Sequence, residues 1–198
     1  MTELLLNDRL IQPYLFKILN FDRSLFIHCY NVSLISEFLL ERLGYKDESI
    51  IKEVLKGALI HDIGKIYVPR ALLFKPSFLT NDEMNVIKNH PAYGYEHVKD
   101  SGASDIVLDI ILSHHETENG RGYPNKATMM QEETQIVSIA DKYEAMTSKR
   151  PYKAPMKHNE VMNIIKKDCN AITMGDRIYK ELDYFDYDIL KVLSKDAG

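Results

Sequence analysis

Residues 51–65 read IKEVLKGALIHDIGK, and this stretch decides the fold. Ile51, Leu55 and Ala58 recur at steps of three and four residues, which gives a helix one apolar face. The same periodicity continues along most of the chain, and no convincing period-two stretch bounded by hairpin turn residues interrupts it. The sequence therefore predicts an all-α fold in which the helices pack as a bundle.

The end of this apolar helix carries two side chains that can titrate. The helix is predicted to begin at Asp47 and to end at Gly64. His61 and Asp62 close the apolar face that the preceding turns build. Because charged groups are seldom buried without a partner, this pair is a candidate for chemistry.

Composition and charge exclude several classes of protein. The chain has 198 residues, of which 45% are hydrophobic and 27% are charged, so it is long enough for one domain with a real core. Its 25 basic and 29 acidic residues give a formal net charge of −4, which excludes a global basic field for a nucleic acid polymer. No apolar run approaches the roughly 18 residues of a membrane helix, so a cytoplasmic protein without membrane contact is predicted. Cys29 and Cys169 are interpreted as reduced, buried residues.

Capping residues and apolar periodicity predict further helices. One begins near Asp22 and ends at Gly44. Thr80 and Glu83 have the spacing of a capping box and begin a short helix, which Pro91 interrupts.

The second half of the chain combines helices with one long loop. A helix capped by Ser104 and a later helix through Val137 are predicted, followed by two more around residues 158–168 and 184–194. Residues 116–130 have the Gly, Asn and Pro content of a loop. Loops of this length are often functional.

Five of the seven histidines lie beside an apolar helical face or at a helix end. Two carboxylates, Asp62 and Asp141, share these positions. The histidines are His28, His61, His90, His114 and His115. Burying these groups without partners would cost several kcal/mol each, so a bound metal is the simplest way to satisfy them, and a network of His–Asp hydrogen bonds is the alternative. Imidazole and carboxylate ligands without thiolate favour Fe or Mn over a structural zinc site.

Four motifs, in order along the chain, resemble those of the HD-GYP family within the HD phosphohydrolase superfamily. They are HDIGK (61–65), NHPAYG (89–94), HHETENGRGYP (114–124) and IADKYEAMTSKRPYK (139–153). The resemblance covers about residues 22–155 and implies an HD-type helical bundle with a metal site in its core. We predict one domain over residues 1–198, with a helical arm at 1–20, a motif-bearing core at 22–155 and C-terminal helices at 156–198.

The resemblance also assigns roles to residues. It makes the five histidines together with Asp62 and Asp141 the metal ligands, and Asp62 bridges two ions. Ser24 stands where family members with a third ion have Glu, so two divalent ions, Fe or Mn, are expected. Lys65 matches a lysine beside the bridging solvent, which makes Asp62 and Lys65 the catalytic residues.

Substrate contacts are expected from three further residues. By resemblance, Arg150 and Lys153 match residues that hold the phosphates of the substrate. Tyr123, in the GYP tripeptide, is expected to stack on a guanine. The same loop is a candidate contact for a signalling protein, and the amphipathic N-terminal arm is a candidate for core packing or for homodimerisation.

The activity that the resemblance implies is hydrolysis of cyclic di-GMP to pGpG or GMP by a hydroxide that bridges the two metals. One alternative is an HD phosphohydrolase acting on another nucleotide, such as cyclic GMP-AMP, (p)ppGpp or a nucleoside phosphate. The other is a catalytically silent module that binds a dinucleotide for signalling.

The chain departs from the family pattern at two positions in these motifs. Asn119 and Glu144 each stand where the family usually has Asp. Glu144 lies one turn after Asp141, so a contact that it makes to a ligand or to Lys65 is expected to be re-aimed. We expect this change to affect rate more than metal binding.

Overall fold

The computed structural model describes residues 1–148, 154–168 and 174–186. Within these residues the regular elements are helices, and no strand is present, so the all-α prediction is confirmed. The elements are α1 (Thr2–Leu5), α2 (Gln12–Phe21), α3 (Arg23–Leu43), α4 (Glu48–Ile60), a 3-10 helix (Ile63–Tyr67), α5 (Arg70–Leu73), α6 (Asn81–Ile87), α7 (His90–Val98), α8 (Asp105–Ser113), α9 (Glu132–Thr147), α10 (His158–Asp168) and α11 (Met174–Leu182).

Helix α3 lies at the centre of the bundle and packs against both α4 and α9. Its N-terminus is capped by the Asp22 carboxylate, which accepts a hydrogen bond from the Leu25 backbone N–H at 2.8 Å. Its C-terminus is Gly44, whose φ of 84° is the left-handed conformation that ends helices. Both predicted ends of this helix are confirmed, and the position of His28 within the core follows from them.

The predicted caps of α6 and α8 are also confirmed. Thr80 and Glu83 form a reciprocal capping box at the start of α6. The Ser104 hydroxyl accepts from the Val107 N–H at the start of α8. Helix α6 ends before Pro91, and α7 begins at His90, so the proline lies in the first turn of α7, where it is tolerated.

The predicted helix stop at Gly64 is wrong. Helix α4 ends at Ile60, and the chain continues as a 3-10 helix that contains Gly64. A Cβ atom at this position would lie 1.9 Å from the backbone oxygen of His90 and 2.5 Å from the backbone nitrogen of Gly94. The glycine is therefore required because the backbone of α7 approaches it closely.

The N-terminal arm packs on the core through its apolar side. Leu5, Ile11, Leu15 and Ile18 are buried among the core residues. The N-terminal amine and the Thr2 N–H are both bound by the Glu37 carboxylate of α3.

The C-terminal predictions have mixed outcomes. Helix α10 occupies residues 158–168 as predicted. Helix α11, at 174–182, is not predicted from the sequence. The helix predicted at 184–194 is wrong at its start, because residues 183–186 are not helical. The rest of that predicted helix lies outside the described residues. No helix in the described part of the chain has the length and apolarity to cross a membrane.

We expect Gly64→Ala to destabilise the protein more than Gly57→Ala. Gly57 also lies in a tight place, but its new Cβ would meet the Ile110 side chain, whose nearest atom, the terminal Cδ1, lies at 2.7 Å. Rotation can move Cδ1 away, Cβ and Cγ2 of Ile110 at 3.1 Å need only a small shift, and the helix gains propensity. The backbone atoms beside Gly64 cannot move independently. We expect a loss of about 3 kcal/mol or more for Gly64→Ala and of less than about 2 kcal/mol for Gly57→Ala in denaturant unfolding. Equal losses would contradict the close approach of α7.

Candidate metal centre

Asp62 lies between α4 and the 3-10 helix, and imidazoles surround both of its oxygens. Its Oδ1 is 3.1 Å from Nε2 of His90 and 3.8 Å from Nε2 of His114. Its Oδ2 is 3.4 Å from Nε2 of both His28 and His61. One carboxylate thus joins side chains that come from α3, α4, α7 and α8.

Asp141, on α9, is the second carboxylate of the cluster. Its Oδ1 is 3.0 Å from Nε2 of His28 and 3.9 Å from Nε2 of His61. Its Oδ2 is 3.8 Å from Nδ1 of His115. The structure therefore brings together all seven side chains that the sequence analysis selected as candidate ligands.

The ligand-type atoms of the seven predicted ligands form two groups, and within each group they lie within 4.8 Å of one another. The first group is Asp62, His90, His114 and His115, and the second is His28, His61 and Asp141. Each group has the composition of a divalent metal site with nitrogen and oxygen donors.

Backbone carbonyls orient three of the imidazoles. In His61, His90 and His114, the Nδ1–H donates to a carbonyl oxygen three or four residues earlier, at 2.8–3.0 Å. This bond leaves Nε2 directed at the cluster. The Nε2 atoms of His90 and His114 are only 3.3 Å apart, an arrangement of lone pairs that a shared cation would relieve.

Two buried atoms of the cluster make no hydrogen bond within the described residues. They are Nε2 of His61 and Oδ1 of Asp62. An unsatisfied buried polar atom costs about 1–3 kcal/mol, so two at the centre of one cluster need an explanation. A divalent cation would satisfy both atoms, and the residues present therefore fit a metal.

The charges of the cluster keep both carboxylates ionised. Burial would raise the pKa of Asp62, but the Lys65 ammonium and the His61 ring hold it well below its ordinary value. Burial would likewise raise the pKa of Asp141, and its contact with His28 lowers it instead. Two permanent negative charges therefore lie in the core.

The imidazoles divide according to their neighbours. Burial alone would lower the pKa of His28 and His61, but Glu144 raises the pKa of His28, and Asp62 raises that of His61 to about 10. Burial lowers the pKa of His114 well below its ordinary value and that of His115 to about 3. Without a metal, His28 and His61 thus take up protons that balance the carboxylates, and a bound cation would displace these protons; His114 and His115 are already in the neutral form that binds metals.

Lys65 stands at the edge of the cluster. Its Nζ lies 2.5 Å from Oδ2 of Asp62, and about a fifth of its side chain remains exposed. Burial would lower the pKa of Lys65, but the charge of Asp62 raises it, so the ammonium form is retained. The side chain adds a cation beside the bridging candidate Asp62.

Glu144 supports His28. Its Oε2 accepts a hydrogen bond from Nδ1 of His28 at 2.5 Å, and its Oε1 accepts from Asn31 and from the Ser148 hydroxyl at 3.2 and 2.5 Å. This bond turns Nε2 of His28 towards Asp62 and Asp141. The sequence analysis left the contact of Glu144 open between a ligand and Lys65, and the structure places it on the candidate ligand His28.

The long loop is held by an acid that the sequence analysis did not select. Glu116 is buried, and its carboxylate accepts from the backbone N–H groups of Asn125 and Ala127 at 2.6 and 3.0 Å. Gly122 packs so closely that a Cβ there would lie 2.4 Å from the Glu116 Cα. The position of Glu116 after two histidines is the only sequence signal that could have indicated this role.

Tyr123 covers one side of the cluster. Its ring centroid lies 4.6 Å from that of His115 and 6.3 Å from that of His90. Burial raises its pKa, and the charges of the two cluster carboxylates raise it further, so the phenol is neutral. The Asn119 side chain, in contrast, accepts from the Arg121 N–H and the Thr117 hydroxyl and so stabilises the turn of the loop.

A thiol also lies beside the cluster, which the sequence analysis did not expect. Cys29 is free and buried, and its sulfur lies within 4.8 Å of the ligand-type atoms of His61 and Asp62. The sequence does not predict this contact, because Cys29 lies in the apolar face of α3 and has the pattern of an ordinary core residue. Cys169, Arg150 and Lys153 lie outside the described residues.

Comparison with known proteins places this site in a family. The sequence model of the HD domain matches residues 25–146. The cyclic di-GMP phosphodiesterase response regulator RpfG of Xanthomonas campestris pv. campestris is 40% identical over 126 residues, which are 62% of this chain and 33% of RpfG. The 3'3'-cGAMP-specific phosphodiesterase 1 of Vibrio cholerae is 30% identical over 156 residues, 78% of this chain and 36% of that protein. The chain thus spans about a third of the length of these relatives.

A solved structure has a similar fold. Bd1817, an HDG"Y"P protein from Bdellovibrio bacteriovorus, aligns with a TM-score of 0.64 and 25% identity over 83% of this chain and 51% of Bd1817. The fold and the cluster of histidines and aspartates are thereby explained together. The chain belongs to the HD domain family, and the resemblance of its motifs to the HD-GYP branch of that family is confirmed.

Proposed function

We propose that this protein is a metal-dependent phosphodiesterase that hydrolyses cyclic di-GMP to pGpG or GMP. The observation that carries the proposal is the convergence of imidazole Nε2 atoms on the ionised Asp62. Two atoms at the centre of this cluster, Oδ1 of Asp62 and Nε2 of His61, make no hydrogen bond within the described residues. Relatives named as cyclic di-GMP phosphodiesterases, at 35–40% identity, support the choice of substrate.

Two divalent ions are proposed, one for each group of candidate ligands. Asp62 lies between the groups, because Oδ1 faces His90 and His114 while Oδ2 faces His28 and His61. This arrangement suits a bridging carboxylate. Nitrogen and oxygen donors favour Fe or Mn, and the nearby thiol of Cys29 does not alter the composition of the two groups.

The chemistry follows from charge and position. When bound, two divalent ions lower the pKa of water towards about 7 and neutralise the charge that develops on a phosphate. The ions, Asp62 and Asp141 together carry about two positive charges, to which Lys65 adds one. Lys65 is proposed to donate from its ammonium, which lies beside Asp62, to a phosphate oxygen of the substrate, and Tyr123 is proposed to limit the access of water on one side.

Cyclic GMP-AMP is the second candidate substrate. It is supported by three relatives from Vibrio cholerae that are named as specific for this nucleotide, at 28–30% identity. Other nucleotides and a catalytically silent binding module remain weaker alternatives. The silent module is disfavoured because all seven candidate ligands are present and meet at one place.

Several roles stay predictions. Arg150 and Lys153 are proposed to hold substrate phosphates, and Tyr123 is proposed to contact a guanine. A signalling partner at the GYP loop, a homodimer and a cytoplasmic location are likewise proposed from the sequence alone.

The function is tested by anaerobic turnover with protein loaded separately with Fe(II) and Mn(II). Cyclic di-GMP, cyclic GMP-AMP and (p)ppGpp are offered in turn, and the products are separated by chromatography. We expect pGpG or GMP from cyclic di-GMP, and no product from a His61→Ala/Asp62→Ala double variant. If protein holding two metals per chain releases product only from another nucleotide, the substrate assignment is wrong; no product from any would favour the silent module.

Metal binding is expected to stabilise the fold. Because the cation satisfies His61 Nε2 and Asp62 Oδ1, addition of Mn(II) to the metal-free protein should raise the midpoint of thermal unfolding, and a chelator should reverse the rise. The His61→Ala variant should lose most of the shift, whereas His97→Ala, at a half-buried histidine outside the cluster, should keep it. An unchanged midpoint in saturating Mn(II) would contradict the metal site.

Glu144 is expected to control metal affinity through His28. Glu144→Gln removes the charge that orients the ring and should weaken Mn(II) binding by about 10–100-fold. Glu144→Asp keeps the charge and should lose less. Glu132→Gln, at the start of the same helix, is the matched control. The affinities for Mn(II) are measured by calorimetric titration. If Glu144→Gln binds Mn(II) as tightly as the wild type, the contact between Glu144 and His28 does not contribute to metal binding.

A further inference from the structure

One cation at the edge of the candidate metal centre has no assigned role. Lys88 follows the last residue of α6, and its backbone N–H donates to the Met84 carbonyl at 2.9 Å. It lies two residues before His90, where α7 begins. Its backbone is therefore fixed next to a candidate metal ligand, and its side chain is only half-buried.

The Lys88 ammonium lies over the tyrosine that covers the metal cluster. Its Nζ is 5.5 Å from the centroid of the Tyr123 ring, and that ring packs against His115 at 4.6 Å. A cation over an aromatic face is attracted to the ring without using its N–H donors. One aromatic ring thus separates a free ammonium from the ligand-bearing side chains.

Lys88 lacks the ion pair that three lysines of the neighbouring segments form. Lys65, Lys75 and Lys99 each lie within 2.6 Å of a carboxylate oxygen, whereas no carboxylate within the described residues forms an ion pair with Lys88. Glu83, on the same helix, is already bound to Lys75 and to the Thr80 N–H. The charge of Lys88 is thus available to an anion from solution.

The proposed substrate carries a second negatively charged phosphodiester, which does not react in the same step. A cyclic dinucleotide carries two phosphodiesters on one ring, so while one reacts at the metals the other must lie some distance away. A lysine ammonium is a compact point charge that suits a phosphate. We propose that Lys88 binds the second, non-reacting phosphodiester of the cyclic dinucleotide, an assignment that rests on the proposed function.

The test compares Lys88→Gln and Lys88→Arg with Lys99→Gln, a lysine at the far end of α7 that pairs with Glu96. Turnover of cyclic di-GMP is measured beside that of bis(p-nitrophenyl) phosphate, which has a single phosphodiester. Metal content is measured for each variant, so that a damaged site is recognised. Binding and turnover of cyclic di-GMP are first measured for the wild type. A wild type that is inactive would overturn both the proposed function and this assignment.

We expect Lys88→Gln to raise the KM for cyclic di-GMP roughly tenfold with little change in kcat, as the loss of one charge-assisted contact predicts. Lys88→Arg should have a KM close to that of the wild type. The difference in KM between Lys88→Gln and the wild type should become smaller at high salt. Bis(p-nitrophenyl) phosphate should be hydrolysed at an unchanged rate. With an active wild type, either an unchanged KM in Lys88→Gln or an equal loss on both substrates would overturn the assignment alone.

Discussion

The structure depends on keeping two carboxylates, Asp62 and Asp141, ionised inside an apolar helical bundle. An isolated buried charge is too costly to keep, so the fold must surround each oxygen with groups that favour the anion. It does so with five imidazoles from four segments, which are α3, α7 and the ends of α4 and α8, and with the ammonium of Lys65. The bundle is therefore arranged around its charged centre as much as around its apolar core.

Helix ends do most of this work. Three of the imidazoles lie where a helix begins or ends, in His61, His90 and His114. In each, a hydrogen bond from Nδ1 to a backbone carbonyl three or four residues earlier directs Nε2 towards the cluster. Gly64 lets the backbone of α7 come close enough for His90 to reach Asp62. Rigid helical elements can hold such a site more accurately than loops can. The loop supplies only the cover, which Glu116 holds in place.

Much of this arrangement is predictable from the sequence, because helical faces and caps are local features. The spacing of apolar residues places His28 and Asp62 on inward faces, and Asp22 marks the start of α3. Contacts between distant segments are not predictable in this way. Gly64 has the sequence signature of a helix stop, although its reason lies in α7, and Glu116 has backbone partners that no side-chain pattern reveals.

The central claim is that Asp62 joins two metal ions, and a crystal structure of the protein loaded with Mn(II) without oxygen tests it most directly. Anomalous scattering from manganese would locate each ion independently of the protein atoms. The account predicts two ions about 3.5–4 Å apart, with one oxygen of Asp62 on each. A single ion, or an intact His–Asp hydrogen-bond network with no ion in saturating Mn(II), would contradict it.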